Sequence, residues 1–342
     1  MPRPVVSVII VNWNGERLLG GCLAALSAQR YRNFETIVVD NGSVDGSVKL
    51  LRDSYPGVAV IENGENRGFA AANNQAIAIA KGRYLALLNN DVEVGREWLS
   101  HFVAAAESSP PDVGMWACKI LSWEDRATID SVGGLLLSRC GIAKGRGRGA
   151  PDRGQYDRER EVFIPSACAA LYRRELFQDI GGFDEDFFAY CEDTDLGMRA
   201  RLRGWKCLSV PDAVVFHHYS GTAGKYSPMK AFLVERNHLW VALKTFPLPM
   251  LLRLPPVTLW RCLLQAYGIA TRQGAGGQYV REHSKASLIG LLLKAWLAAA
   301  KRAPRMIRKR RRIGGCKTVS DREQRRWFTR YGIGISELVL KV

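Results

Sequence analysis

The chain has 342 residues, of which 47% are hydrophobic and 24% are charged, and its formal net charge is +16. This composition is typical of one or two folded domains and excludes an intrinsically disordered protein. The positive charge is concentrated in one part: residues 1–224 carry a net charge of −3, whereas residues 225–342 carry 24 Lys and Arg against 5 Asp and Glu, a net of +19. We therefore expect an ordinary globular surface in the first part and a basic module with a different partner in the second.

The eight cysteines do not follow a spacing that indicates a disulfide framework or a zinc site. None of them forms a C-x-x-C pair, and the first residues lack the apolar segment of a secretory signal. The sequence therefore predicts a cytosolic protein with reduced thiols.

Four apolar segments rich in Val and Ile alternate with stretches of helical length in the first part of the chain. They are "VVSVIIV" before Asn12, "FETIVV" before Asp40, "VAVI" before Glu62 and "YLALL" before Asn89. Apolar strands that alternate with helices predict an α/β fold with a mostly parallel sheet covered on both faces. Ligands of such sheets bind outside the carboxyl ends of the strands, so the polar residues that end these segments should line the site.

Two common nucleotide-binding motifs are absent from the sequence. No G-x-G-x-x-G follows the first predicted strand, and no G-x-x-x-x-G-K-[ST] occurs anywhere. Nicotinamide and ATP chemistry are therefore disfavoured. A nucleotide can still be held by an acid that accepts hydrogen bonds from the base or ribose, with a metal ion neutralising the phosphates.

Five segments occur in an order that resembles family 2 glycosyltransferases of the GT-A fold, particularly the rhamnosyltransferase-like branch. They are "VSVIIVNWNG", "IVVDNGSVDGS", "ENRGFAAANNQAI", "LLNNDVE" and "AYCEDTDLGMRARLRGW". The resemblance covers about residues 5–245 and predicts a catalytic domain at 1–245, followed by a helical basic region at 246–342. It implies an inverting transferase that uses a nucleotide-diphosphate sugar, dTDP- or UDP-linked, and a divalent cation.

The resemblance assigns one set of residues to nucleotide-sugar binding: Asn12, Asp40, Asn66, Arg67, Gly68, Asn89 and Asn90. In this family Asp40 would face the base with Asn12 nearby, and the loop before a helix that begins near Phe69 would close over the nucleotide. An isolated D-N-G after a strand is more often an Asx turn without a ligand. The neighbouring motifs favour the binding role here.

The segment "NND" at residues 89–91 occupies the place of the family's D-x-D motif. Asn89 replaces the first acid and leaves Asp91 as the carboxylate that would bind the metal ion. The family places a metal-binding histidine where "VVFHHYSG" brings His217 and His218 to the end of a predicted strand. Adjacent strand residues face opposite sides, so at most one should coordinate, and His217 is favoured over a packing role. Such an oxygen-rich site suits Mn²⁺ or Mg²⁺.

A general base is sought among Glu192, Asp193 and Asp195, which begin a helical pattern. Acids in a first helical turn commonly serve only to stabilise the helix dipole. The resemblance instead makes Asp193 the base that deprotonates the acceptor hydroxyl, and it gives Glu192 a role in orienting the acceptor or supporting the loop.

The second part of the sequence predicts a surface helix rather than a transmembrane span. No segment reaches the roughly 18–20 uncharged residues that cross a bilayer. The segment "ASLIGLLLKAWLAAAKRAPRMIRKRRR" has an apolar run followed by eight basic residues between 301 and 312. This pattern favours a helix in the interface of an anionic membrane. Two alternatives are RNA binding, disfavoured because aromatic stacking motifs are lacking, and a cationic helix packed on the catalytic domain.

Together these features predict a glycosyltransferase, peripheral on the inner face of a bacterial plasma membrane. It would add a sugar such as rhamnose to a lipid-linked glycan or polysaccharide acceptor in cell-surface glycan synthesis. Two alternatives remain open: a nucleotide-binding scaffold without catalysis, which the substitution at Asn89 would permit, and a polybasic RNA-binding protein.

Overall fold

The computed structural model describes residues 3–218 and 227–341, and the chain divides into two compact units. The first unit comprises Met1–Leu135, Gly145–Ala200 and Trp205–Thr222, and the second comprises Leu136–Lys144, Arg201–Gly204 and Ala223–Val342. The longest segment of the second unit thus begins at residue 223, whereas the boundary predicted from the sequence lies at 245. The difference is the helix Pro228–Thr245, which packs within the second unit.

The strands are, in chain order, β1 (Val6–Asn12), β2 (Phe34–Asp40), β3 (Ala59–Glu62), β4 (Tyr84–Asn89), β5 (Val92–Val94), β6 (Val113–Ser122), β7 (Ile129–Val132), β8 (Leu135–Ser138), β9 (Ala143–Gly145), β10 (Glu161–Val162), β11 (Ala169–Arg173), β12 (Lys206–His217) and β13 (Gly332–Ile333). The helices are α1 (Glu16–Ser27), α2 (Ser47–Ser54), α3 (Gly68–Ile79), α4 (Trp98–Glu107), α5 (Arg174–Ile180), α6 (Glu192–Leu202), α7 (Pro228–Thr245), α8 (Leu248–Leu252), α9 (Leu254–Ala270), α10 (Gly274–Glu282), α11 (Lys285–Cys316), α12 (Asp321–Arg330) and α13 (Ile335–Leu340).

The first unit is built on one mixed sheet with the strand order β10-β12-β6-β11-β4-β1-β2-β3. Strand β1 pairs in parallel with β2 and β4, and β2 pairs in parallel with β3. Strand β11 runs antiparallel between β4 and β6, while β6 and β12 are parallel. The prediction of an α/β fold with a mostly parallel sheet is confirmed, and the four predicted strands are β1 to β4.

Both faces of the central strands are buried, which explains their nearly continuous apolar sequence. Val8 and Ile10 of β1 pack in a cluster with helices α1 and α4, whereas Ile9 packs in a second cluster on the other face with helix α3. All three side chains are fully buried. Strand residues alternate between faces, so a strand that lies between two helical layers must be apolar at every position.

The second unit is mainly helical, and the predicted helical basic region is present. Helix α11 packs along α7, and Trp240 Nε1 donates a hydrogen bond of 3.2 Å to the Ala299 carbonyl. Arg261 of α9 forms a buried, bidentate ion pair with Glu235 of α7, with distances of 2.6 and 2.7 Å. None of the helices in the described ranges combines the length and the apolar character needed to cross a membrane.

Candidate active site

Three strand ends bring polar side chains together at the carboxyl edge of the parallel strands. Asn12 and Asp40 stand opposite each other in the register of β1 and β2. Asn12 Nδ2 donates to Asp40 Oδ1 at 3.2 Å, and Asn12 Oδ1 accepts from Asn90 Nδ2 at 2.7 Å. All three side chains are buried, so each polar group needs a partner. Asn12 therefore connects the acid that ends β2 to the turn that follows β4.

The turn after β2 lies against the loop after β3. Gly42 has a φ of +77°, and a Cβ atom there would lie 2.6 Å from the backbone nitrogen of Glu65. Asn41 bridges the two loops, because its Nδ2 donates to Asn66 Oδ1 at 3.2 Å and its Oδ1 accepts from the Arg67 amide at 3.3 Å. No role was predicted for Asn41 from the sequence, although its place in "DNG" beside Asp40 was a signal.

The loop at residues 66–68 leads directly into helix α3, as predicted. Asn66 Oδ1 accepts from the Gly68 amide at 2.9 Å. Gly68 has a φ of +84°, and a Cβ atom there would lie 2.6 Å from the Phe188 carbonyl oxygen. That oxygen accepts a hydrogen bond from the Ala70 amide at 3.1 Å. This loop is thus joined to the segment that precedes Glu192.

The segment before Glu192 has an unusual backbone. Phe188, Tyr190 and Cys191 have φ values of 66°, 67° and 65°, and the Ala189 amide donates to the Phe187 carbonyl to close a tight turn around Phe188. Residues other than glycine rarely adopt such angles, which cost on the order of 1–3 kcal/mol each and concentrate at functional sites. The strained backbone therefore makes this loop a candidate part of the site.

Glu192 and Asp193 begin helix α6 but lie in different environments. Asp193 accepts hydrogen bonds from the Thr194 amide at 2.6 Å and the Ala167 amide at 3.3 Å, and burial raises its pKa despite these bonds. Burial and the charge of Asp193 raise the pKa of Glu192 well above its usual value, and Glu192 Oε2 has no hydrogen-bond partner within the described residues. The pKa of Glu192 is thus raised further than that of Asp193, so Asp193 loses its proton more readily and is the better candidate for the general base.

The start of strand β11 links Asp193 to the end of β4. Because β11 is antiparallel to β4, its first residues lie at the edge where β4 ends. The Asn89 amide donates to the Cys168 carbonyl at 2.8 Å, one residue after the Ala167 amide that bonds to Asp193. A single backbone segment thus connects the predicted base to the "NND" turn.

The structure brings His217 to Asp91 and turns His218 away. His217 Nε2 lies 3.4 Å from Asp91 Oδ1, and both side chains are buried. His218 stacks on Trp123 with ring centroids 4.3 Å apart, and its Nε2 lies 3.7 Å from Glu93 Oε1. The alternation along β12 expected from the sequence explains this separation.

Asp130 contacts His217, and Arg148 contacts Asp130. Neither residue was predicted from the sequence. His217 Nδ1 lies 2.6 Å from Asp130 Oδ2, and Arg148 Nη2 lies 2.6 Å from Asp130 Oδ1. Burial alone lowers the pKa of His217, but Cys168, Asp130 and Asp91 outweigh it and raise that pKa well above its usual value. A carboxylate on Nδ1 fixes the ring so that Nε2 faces Asp91, an arrangement common behind metal-binding histidines.

The donor set at Asp91 and His217 fits a divalent cation. The described residues contain no group of three or more His, Cys, Asp or Glu side chains arranged to hold a metal ion. A carboxylate oxygen and an oriented imidazole nitrogen nevertheless match the ligand preferences of Mn²⁺, which would take its remaining ligands from other oxygens.

The mostly parallel sheet with its open, polar carboxyl edge is a GT-A fold. The sequence model of glycosyl transferase family 2 matches residues 7–181. The chain therefore belongs to glycosyl transferase family 2, and it is a glycosyltransferase.

Among similar proteins is the N-acetylglucosaminyl-diphospho-decaprenol L-rhamnosyltransferase of Mycobacterium tuberculosis, 29% identical over 69% of this chain and 86% of the relative. The O-antigen biosynthesis protein RfbC of Myxococcus xanthus is 31% identical over 64% of this chain and 18% of the relative.

Two solved structures support the fold. GalNAc-T7 with UDP, GalNAc and Mn²⁺ has a TM-score of 0.57 at 20% identity and covers 71% of this chain and 48% of its own. S. aureus TarS 1-349 in complex with UDP-GlcNAc has a TM-score of 0.54 at 18% identity, with 94% and 91% covered.

Proposed function

We propose that the chain transfers a sugar from a dTDP- or UDP-linked donor to a lipid-linked saccharide in cell-surface glycan synthesis, with rhamnose as the candidate sugar. The observation that carries the proposal is that Asp40, Asp91 and Asp193 lie at one edge of the sheet. Asn12 bonds to both Asp40 and Asn90, the residue before Asp91, and the start of β11 bonds to both Asp193 and Asn89. The mycobacterial relative, named as an L-rhamnosyltransferase, supports the sugar and the lipid-linked acceptor.

In this proposal the donor nucleotide binds at the ends of β1 and β2. The Asp40 carboxylate accepts hydrogen bonds from N–H groups of the base, and Asn12 orients this carboxylate through the 3.2 Å hydrogen bond. The loop at 66–68 covers the nucleotide, and the exposed guanidinium of Arg67 supplies a positive charge beside the phosphates. Asn89 and Asn90 offer amide groups to the sugar-diphosphate.

Asp91 and His217 would hold the divalent cation, which supplies charge neutralisation for the leaving diphosphate. His218 takes no part because its ring stacks on Trp123. Asp193 accepts the proton of the acceptor hydroxyl while that oxygen attacks the anomeric carbon and the bond to the diphosphate breaks. The single displacement inverts the anomeric configuration. Glu192, in its neutral form, orients the acceptor or supports the strained loop.

The experiment that tests the proposed function is a screen of dTDP- and UDP-linked sugars with and without Mn²⁺. A true donor should raise the unfolding temperature only when Mn²⁺ is present, because ligands that bind the native state stabilise it. The stabilising donor is then tested for transfer to a polyprenyl-diphosphate-linked N-acetylglucosamine. Donor binding without transfer to any saccharide acceptor would instead favour the non-catalytic scaffold.

Asp130→Asn is expected to weaken Mn²⁺ binding by about 10–100-fold, because the carboxylate no longer orients His217. Titration of Mn²⁺ followed by electron paramagnetic resonance measures this affinity directly. Asp152→Asn is the matched control, since Asp152 is a partly buried acid that pairs with Lys119 at 2.8 Å and does not bond to His217. Equal losses in the two variants would show that Asp130 acts only through general stability.

We also propose that the second unit attaches to the anionic inner face of a bacterial plasma membrane. The basic residues of α11 support this, because Arg308, Arg311 and Arg312 are exposed. Each basic residue near such a surface contributes about 1 kcal/mol, so replacing all three with Gln should weaken binding to anionic vesicles by roughly 100-fold. Vesicle sedimentation at a fixed salt concentration measures the change, and neutral vesicles should show no difference.

The matched control for this prediction removes the same charge from helix α12 by replacing Arg322, Arg325 and Arg330 with Gln. All three side chains are exposed. An equal loss of vesicle binding in this variant would assign the attraction to net charge and would contradict a specific role for α11.

A further inference from the structure

The second unit contains an apolar groove that the proposed function has not used. The groove has a volume of about 560 Å³. Its walls include Leu239 and Leu243 of α7, Leu251 of α8, Leu254 and Leu259 of α9, and Trp296 of α11. This volume lies within the range of roughly 300–1,000 Å³ that is typical of small-molecule sites.

Exposed apolar side chains occur on α8, α9 and α11, three of the helices that also contribute lining residues. On α8 and α9, Leu252, Leu259 and Leu263 are 73%, 63% and 55% exposed. On α11, Leu293 and Leu297 are 53% and 71% exposed, on either side of Trp296 in the sequence. Folded proteins rarely expose so many large apolar side chains together unless the surface binds an apolar partner.

The charge around the groove favours an anionic partner. Exposed Arg253 lies between the lining residues Leu251 and Leu254. The region from 225 to 342 carries a net charge of +19, so two copies of this surface would repel each other. A hydrocarbon chain with a phosphate or diphosphate headgroup satisfies both the apolar walls and the cations.

The concave shape separates this site from a simple bilayer contact. A bilayer surface can cover the exposed apolar side chains on α9 and α11, but it does not fill the groove between the helices. A single flexible chain can leave the bilayer and lie in this groove.

We infer that this groove binds the hydrocarbon chain of the lipid-linked acceptor, an isoprenoid phosphate or diphosphate. The inference rests on the proposed function for the identity of the acceptor, but the binding itself requires neither a donor nor catalysis. It assigns α7, α8, α9 and α11 a role in acceptor recognition in addition to membrane attachment.

The test uses the full chain and a polyprenyl phosphate that carries a benzophenone at the far end of its chain, incorporated in neutral vesicles. After irradiation, mass spectrometry should find adducts on lining residues such as Leu243, Leu254 and Thr258. Thr258→Trp fills the groove and should lower these adducts by about tenfold or more. Ala266→Trp is the matched control, because it places the same side chain on an exposed position of the same helix that does not line the groove, and it should keep the adducts.

Adducts confined to exposed residues such as Leu252 and Leu297 would overturn the inference in favour of a bilayer contact. Unchanged labelling of the groove in Thr258→Trp would overturn it as well. If that variant fails to fold by circular dichroism, Cys262→Met, a smaller filling substitution at another lining residue, applies the same criterion. A protein that forms groove adducts but transfers no sugar in a separate assay would refute the proposed function and support the groove as a lipid site. A protein that transfers sugar but forms no groove adducts would refute the groove and support the proposed function.

Discussion

Asp193→Asn is expected to lower the rate of sugar transfer by about 10²–10⁴-fold while the affinity for the donor is retained. Asparagine keeps the size of the side chain, and its one oxygen can still accept the shorter bond from the Thr194 amide, whereas the longer bond from the Ala167 amide to the second carboxylate oxygen is lost. It cannot accept the proton of the acceptor hydroxyl. Initial rates at saturating donor and calorimetric titration of the donor measure the two quantities separately.

Two comparisons sharpen this prediction. Glu192→Gln should have a smaller effect on the rate, because glutamine mimics the neutral form that burial favours at Glu192. Burial also raises the pKa of Asp193, so the rate of the unmodified enzyme should fall on acidification at a higher pH than an ordinary aspartate would cause. This acid limb should disappear in Asp193→Asn. A nearly normal rate in that variant would move the base to Asp184, Asp186, Glu192 or Asp195.

Asp91→Asn is expected to remove the dependence of donor binding on Mn²⁺. Asp91 would be the only carboxylate ligand from the "NND" turn, and loss of a direct ligand should exceed the 10–100-fold effect of a supporting residue, so we expect a loss of about 100-fold or more in Mn²⁺-dependent affinity. Calorimetry of donor binding at several Mn²⁺ concentrations measures it.

Asp53→Asn is the control for Asp91→Asn, since Asp53 is an exposed acid on α2 that pairs with Lys49. It removes the same charge from the first unit without touching the site. If Asp91→Asn binds donor with the same Mn²⁺ dependence as this control, Asp91 is not a metal ligand.

Local sequence patterns were sufficient to predict the strands and the helix that carry the candidate site residues. The apolar runs before Asn12, Asp40 and Asn89 predicted strands β1, β2 and β4 because strands buried on both faces must be apolar at nearly every position. Their polar ends then indicated the edge at which we propose that the donor binds. The helix that begins at Glu192 was equally predictable, since acids in a first turn followed by a helical pattern are a local signal.

The sequence by itself thus determined the fold class, the family and the edge of the sheet, whereas only the tertiary structure decided which side chains support one another. Asp130 lies 87 residues before His217 and meets it because β7 and β12 both pair with β6. The groove of the second unit likewise needs walls from α7, α8, α9 and α11. Hydrophobic periodicity shows only which face each element buries. These contacts depend on how separate elements pack against each other, which cannot be read from the spacing of the residues along the chain.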